Sequence, residues 1–130
     1  MAAIINIDVP DLQKAVDFYT SAVDVSLERY LDDDVAELSS GSLKIYLLKE
    51  AEGTLAVAGS DMERKYKRHW TPVHIDFVVA NLEASVKKAE KAGARRETGY
   101  TTWRGATHVS FSDPFGHGFC LISFEHGTYE

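Results

Sequence analysis

The stretch His74-Ile-Asp-Phe-Val-Val-Ala-Asn-Leu-Glu-Ala-Ser-Val86 decides the fold, because the chain contains it twice. Laid on Ile4-Ile-Asn-Ile-Asp-Val-Pro-Asp-Leu-Gln-Lys-Ala-Val16 it runs without a gap. Ile5/Ile75, Val9/Val79, Leu12/Leu82 and Val16/Val86 are identical, and Asn6/Asp76, Ile7/Phe77, Asp11/Asn81 and Ala15/Ser85 keep their character. In each copy an alternating apolar pattern gives way to apolar residues at helical spacing, so a strand leads into a helix. A match that holds its register through two periodicities marks a duplicated module.

Working outward, Pro10 closes the first strand and Asp11 is placed to cap the helix whose stripe is Leu12, Ala15, Val16 and Tyr19. Three strands follow, at Ser26–Leu31, Val35–Ser39 and Leu43–Lys49, separated by Asp32-Asp33-Asp34 and by Ser39-Ser40-Gly41-Ser42. The second copy repeats the plan. Asn81 caps, Leu82, Ser85, Val86 and Ala89 form the stripe, Gly93 ends the helix, and strands follow near 95–98, 107–112 and 119–124. Asp113-Pro114-Phe115-Gly116 turns the chain between the last two. The segment from 51 to 69 joins the modules, with small residues first and then the basic run Arg64–His69, and one helical turn is expected near 61–67.

At 130 residues the chain supports one core rather than two independent ones, so modules at about 1–50 and 70–130 form a single domain of the α+β class. The net charge of −6 repels phosphate backbones and anionic lipid, which argues against nucleic-acid and membrane partners. Cys120 is the sole cysteine, the N-terminus lacks a basic n-region, and no apolar run approaches spanning length. A cytoplasmic protein is expected.

The doubled strand-helix unit, the Asp11-Leu12…Ala15…Phe18-Tyr19 helix start and the Asp113-Pro-Phe-Gly-His-Gly-Phe-Cys-Leu-Ile122 lead into the last strand resemble the vicinal oxygen chelate superfamily. That superfamily includes glyoxalase I, extradiol dioxygenases, and fosfomycin- and bleomycin-resistance proteins. The resemblance implies two tandem βαβββ modules forming a curved, mixed, eight-stranded sheet of two half-barrels, with a ligand in the concavity. Metal-using members bind a divalent ion through one residue on the first strand and one on the last strand of each module. By position these fall on Ile4, Tyr46, His74 and Cys120, of which only His74 is a usual ligand. The expectation is therefore no obligatory metal and no cofactor.

Candidate ligand-binding residues follow. His74 and Asp76 lie two apart on a strand and share a face. They bind a polar group, act as a proton-transfer pair, or satisfy one another. His108 shares a face with Ser110 and Ser112, either lining a wet pocket or facing solvent. Trp70 and Trp103 stand beside polar residues, suited to stacking on a planar or cationic ligand or to packing. Tyr46 puts an aromatic wall where a ligand residue has been lost, and Cys120 is a thiol among Phe119, Leu121 and Ile122. Phosphate-loop, dinucleotide, nucleophile-elbow and paired-cysteine motifs are absent from the sequence. The expected protein binds a small organic ligand and pairs as a homodimer. The alternative is a lyase, isomerase or dioxygenase-like enzyme using His74 with Cys120 or Asp76.

Overall fold

The computed structural model describes residues 2–70 and 72–130. Its element order is β1 (Ile5–Val9), α1 (Leu12–Ala22), β2 (Ser26–Leu31), β3 (Val35–Ser40), β4 (Leu43–Lys49), β5 (Ile75–Val78), α2 (Leu82–Ala92), β6 (Arg95–Arg96), β7 (Thr101–Trp103), β8 (Ala106–Ser112) and β9 (Gly118–Phe124). This is an α+β fold of two βαβββ modules. The strands form two mixed sheets, β1-β4-β3-β2 and β5-β9-β8-β6 with β7 also on β8, in place of one eight-stranded sheet. Two compact units result, one of residues up to Thr20 with Asp24–Tyr66, the other of Ser21–Val23 with Lys67–Glu130.

In the first unit β1 pairs in parallel with β4, aligning Ile5 with Ile45 and Ile7 with Leu47. Ile45 and Leu47 share a sheet face with Ala36 and Leu38 across the antiparallel β3–β4 ladder, and all four are fully buried. The opposite face carries Glu37 beside Tyr46. Asp11 accepts the Lys14 N–H at 3.0 Å, capping α1, and the stripe Leu12, Ala15, Val16 and Tyr19 is buried.

The segment after β4 contains no helical turn near 61–67. It folds back as a short antiparallel ladder, with Leu55 bridged to Glu63 and Gly53 N–H donating to the Arg64 carbonyl at 2.8 Å. Arg64 decides this outcome. Its guanidinium donates to Asp8 at 2.7 Å and to the Leu55 carbonyl at 2.6 Å, partners that a helix spanning 61–67 could not hold at once.

In the second unit β5 pairs in parallel with β9, and β9 with β8 antiparallel. The Asn81 side chain accepts the Ala84 N–H at 3.0 Å, and Gly93 closes α2 in the left-handed region at φ 109°. Leu82, Val86 and Ala89 are buried, as are Phe77, Val109, Phe111, Phe119 and Leu121 from one sheet face. The expected strand near 95–98 is two short pieces, β6 and β7, because the register against β8 shifts between Arg96↔Phe111 and Thr101↔His108. In the shifted stretch the Thr98 hydroxyl accepts the Ser110 N–H at 3.0 Å.

Candidate functional site

The face of the second sheet opposite the apolar core carries the chemistry. Alternation along β5 sets Asp76 on the side away from buried Phe77, and the parallel register places Asp76 against Cys120 on β9. Across β8 and β9, Ser110 pairs with Cys120 and His108 with Ile122, while Trp103 on β7 pairs with Ala106. His74, Asp76, Trp103, His108, Cys120 and Tyr129 thereby line one cavity of about 280 Å³. Five of the seven expected ligand residues are brought together here.

His74 Nε2 stands 3.2 Å from Asp76 Oδ1. Ser110 Oγ and Cys120 Sγ are 3.4 Å apart. The donor atoms of His74, Asp76 and Cys120 all lie within 4.8 Å of one another. Burial pushes the Cys120 thiol up to about 11, the hydrogen bond from Ser110 only partly offsetting it, and the Asp76 carboxylate beside it acts in the same direction as burial. At neutral pH the sulfur is a thiol and a weak donor rather than a nucleophile. Alkylation by iodoacetamide at pH 7.5 is therefore expected to run roughly a hundredfold slower than for an exposed cysteine, and to accelerate as pH rises toward 11. A rate equal to that of free cysteine would show the thiolate to be accessible and stabilised.

Trp70 borders the site without lining it. Its ring meets His74 edge-on at 5.3 Å between centroids, its Nε1–H donates to Glu97 at 3.1 Å, and the Arg68 guanidinium lies 4.6 Å from its ring centre. Tyr46 belongs to the first unit. There its hydroxyl donates to Glu37 Oε2 at 2.9 Å, and Glu37 also meets Arg29 at 3.3 Å and Lys44 at 3.4 Å. That hydrogen bond first, then burial, raises the Tyr46 phenol, and the same bond is the leading cause that lowers the Glu37 carboxyl.

Sequence reasoning missed Glu37 and Tyr129. Glu37 sits in a strand whose three central residues are all buried, so alternation gave no sign that it faces Tyr46. Tyr129 reaches the pocket from the C-terminal segment, where its ring meets Trp103 at 5.4 Å and Phe124 at 4.9 Å. No periodicity encodes that return.

A family model described as a glyoxalase-like domain matches residues 4–122. The chain belongs to the glyoxalase-like family. No curated protein matches it. Among solved structures, it is similar to the genomically encoded fosfomycin resistance protein FosX from Listeria monocytogenes (16% identity, 95% of this chain and 92% of that one, TM-score 0.71). It is also similar to lactoylglutathione lyase from Agrobacterium tumefaciens (16% identity, 95% and 94%, TM-score 0.65). A third likeness is to a glyoxalase/bleomycin resistance protein/dioxygenase from Nocardioides (16% identity, 99% and 87%, TM-score 0.67). At these identities the likeness is one of fold, and the glyoxalase-like match over residues 4–122 is what places the chain in the vicinal oxygen chelate superfamily.

For this glyoxalase-like chain the superfamily's metal can be tested against the residues present. Ile4 offers no donor atom and is exposed. The Tyr46 phenol is committed to Glu37, which holds its proton in place. The first module therefore lacks both of its expected ligands, and the four-residue set does not fit a metal. The second module keeps His74, Asp76 and Cys120, whose donor atoms lie within 4.8 Å of one another and whose sulfur would give up its proton to coordinate a metal. Among the described residues no helix is long and apolar enough to cross a membrane.

Proposed function

We propose that this glyoxalase-like protein binds a small organic molecule in the cavity of its second unit, with no obligatory metal. The observation that carries the reading is the convergence of His74, Asp76, His108, Cys120 and Trp103 on one cavity of about 280 Å³. Apolar walls with a few convergent polar groups are the usual form of a small-ligand site, and this cavity lies just below the volume range of about 300–1,000 Å³ typical of such sites. Trp103 and Tyr129 supply ring surface, while His74, Asp76 and His108 supply hydrogen bonds that orient what enters. The superfamily's metal ligands in the first module are missing, which supports metal independence. The protein is taken to act as a cytoplasmic homodimer.

A fragment library screened by thermal shift and ligand-observed NMR tests the reading. A bound fragment at a hundred times its Kd stabilises the folded state by about 2.7 kcal/mol, a shift of several degrees. Hits are expected to be unaffected by EDTA and to weaken in His108→Ala. Absence of hits, or hits abolished by EDTA, would overturn the proposal. One observation favours a second reading: the 3.2 Å contact of His74 with Asp76 is the geometry of an imidazole base oriented by a carboxylate. Turnover lost in His74→Ala while binding persists would establish the enzyme.

A further inference from the structure

The pocket's lining carries one acid and two histidines, with His74 Nε2 3.2 Å from Asp76 Oδ1. Among the described residues Asp76 is its only carboxylate, and neither lysine nor arginine lines its walls. Cys120 adds a weak dipole to the lining and is itself backed by Ser110 at 3.4 Å. Trp103 and Tyr129 meet edge-on at an interplanar angle of 64°, and both rings line the cavity that holds the acid. Both are far more exposed than packing aromatics usually are, Trp103 at 60% and Tyr129 at 47%. Burial in a core therefore does not explain why two large rings stand at this cavity.

The second ring is held in place deliberately. The chain returns after β9 to dock on the β7–β8 turn: Glu130 N–H donates to the Arg104 carbonyl at 2.9 Å, and the Arg104 guanidinium donates to the Glu130 carbonyl at 2.7 Å. Arg104 adopts φ 47° and Gly105 φ 75°, the left-handed pair of a tight hairpin turn. The Glu130 side chain packs over this turn, within 2.8 Å of where a Cβ on Gly105 would lie. Tyr129 is seated between Trp103 and Phe124 as a result. The Arg104 guanidinium lies 5.4 Å from the Trp103 ring centre, so this ring already engages one cation of the protein's own.

We propose that Asp76, Trp103 and Tyr129 form an acidic-aromatic cage for a small organic cation, a protonated amine or a quaternary ammonium group, with Tyr129 as a wall supplied by the C-terminal segment. The inference rests on the pocket reading above and narrows its ligand class. The rings present negative faces to the cation while Asp76 supplies the countercharge, a combination that a neutral or anionic ligand of equal size cannot use. The small volume suits a headgroup.

The test is a calorimetric and NMR titration of the whole protein with three matched probes: benzyltrimethylammonium, benzyl alcohol and benzoate. The cation is expected to bind about tenfold tighter than the alcohol, and benzoate more weakly than either. Asp76→Asn should remove the preference while circular dichroism shows the fold intact. Tyr129→Ala should weaken the cation several-fold, and Tyr129→Phe should restore it, because the ring and not the hydroxyl is the wall. Equal affinity for cation and alcohol overturns the cage and leaves the pocket reading standing. No binding of the cation up to about 10 mM also overturns the cage. The fragment screen, which uses other molecules, then judges the pocket on its own.

Discussion

Gly116→Ala is expected to destabilise the second unit by at least about 3 kcal/mol. Two costs add at this position. Its φ of 96° lies in the left-handed region, which an L side chain adopts only under strain. In addition, the new Cβ would stand 2.7 Å from the backbone carbon and oxygen of Lys67 and 3.0 Å from the Arg68 nitrogen. Backbone atoms cannot rotate aside as a side chain does, so the whole 67–70 segment must move. That segment is tied to the same loop by His69 N–H to the Gly116 carbonyl at 2.9 Å, Gly118 N–H to the His69 carbonyl at 3.0 Å, and a 2.7 Å contact between the His69 and His117 rings. It also delivers Trp70 to the edge of His74. Denaturant unfolding measures the loss, and faster tryptic cleavage at Lys67 and Arg68 reports the release. Gly59→Ala is the control: its φ is 78° but a Cβ there meets nothing within 4 Å, so strain alone, about 1 kcal/mol, is the expected cost. If the two variants lose equal stability, the backbone overlap is not what makes glycine necessary at 116.

The first module was legible strand by strand because its signals are local. Ser26–Leu31 and Leu43–Lys49 are bounded by turn-forming side chains, and the structure places them at those residues. Asn81 and Gly93 were equally readable, since a cap is a bond between near neighbours: Asn81 to Ala84, Gly93 to Glu90 and Ala89. Where an element owes its form to a distant partner, the sequence was silent. The 53–64 ladder depends on Arg64 finding Asp8. The break between β6 and β7 depends on Thr98 replacing a backbone acceptor for Ser110. Propensity at 61–67 favoured a helical turn, and one half-buried ion pair outweighed it.

The candidate site divides in the same way. That His74 and Asp76 share a face follows from the two-residue period of a strand, and so does the grouping of His108 with Ser110. That the two groups meet requires the register of β5 on β9 and of β9 on β8, which no spacing within one strand contains. The duplication did supply the decisive negative. Because Ile4 aligns with His74, the missing donor in the first module is legible in the sequence alone, and the Tyr46–Glu37 bond shows what that module's opposite face does in its place. The ring of Tyr129 could be found only by following the chain back from β9.

Phe111→Ala is expected to cost about 3–5 kcal/mol, a large share of the roughly 5–15 kcal/mol that stabilises a domain of this size. Phe111 is fully buried, lies parallel to Phe119 at 5.5 Å and 16°, and through Phe119 reaches Phe77 at 5.9 Å. Truncation removes both the transfer energy of the ring and its stacking partner, and the sheet cannot close the void without moving β8, which is paired on both sides. The same alternation that buries Phe111 turns Ser110 to the pocket face beside Cys120, so the lesion lies on the other side of the sheet from the cage. Chemical unfolding should therefore show a lowered midpoint with an unchanged m-value, while the fraction still folded keeps the cation preference of the wild type. Val78→Ala supplies the comparison. Val78 is 68% exposed, and its truncation should stay within about 0.5 kcal/mol. A Phe111→Ala protein that loses probe selectivity at full occupancy of the folded state would mean that the core and the pocket face are mechanically coupled through β8, and that the cage depends on core packing for its shape.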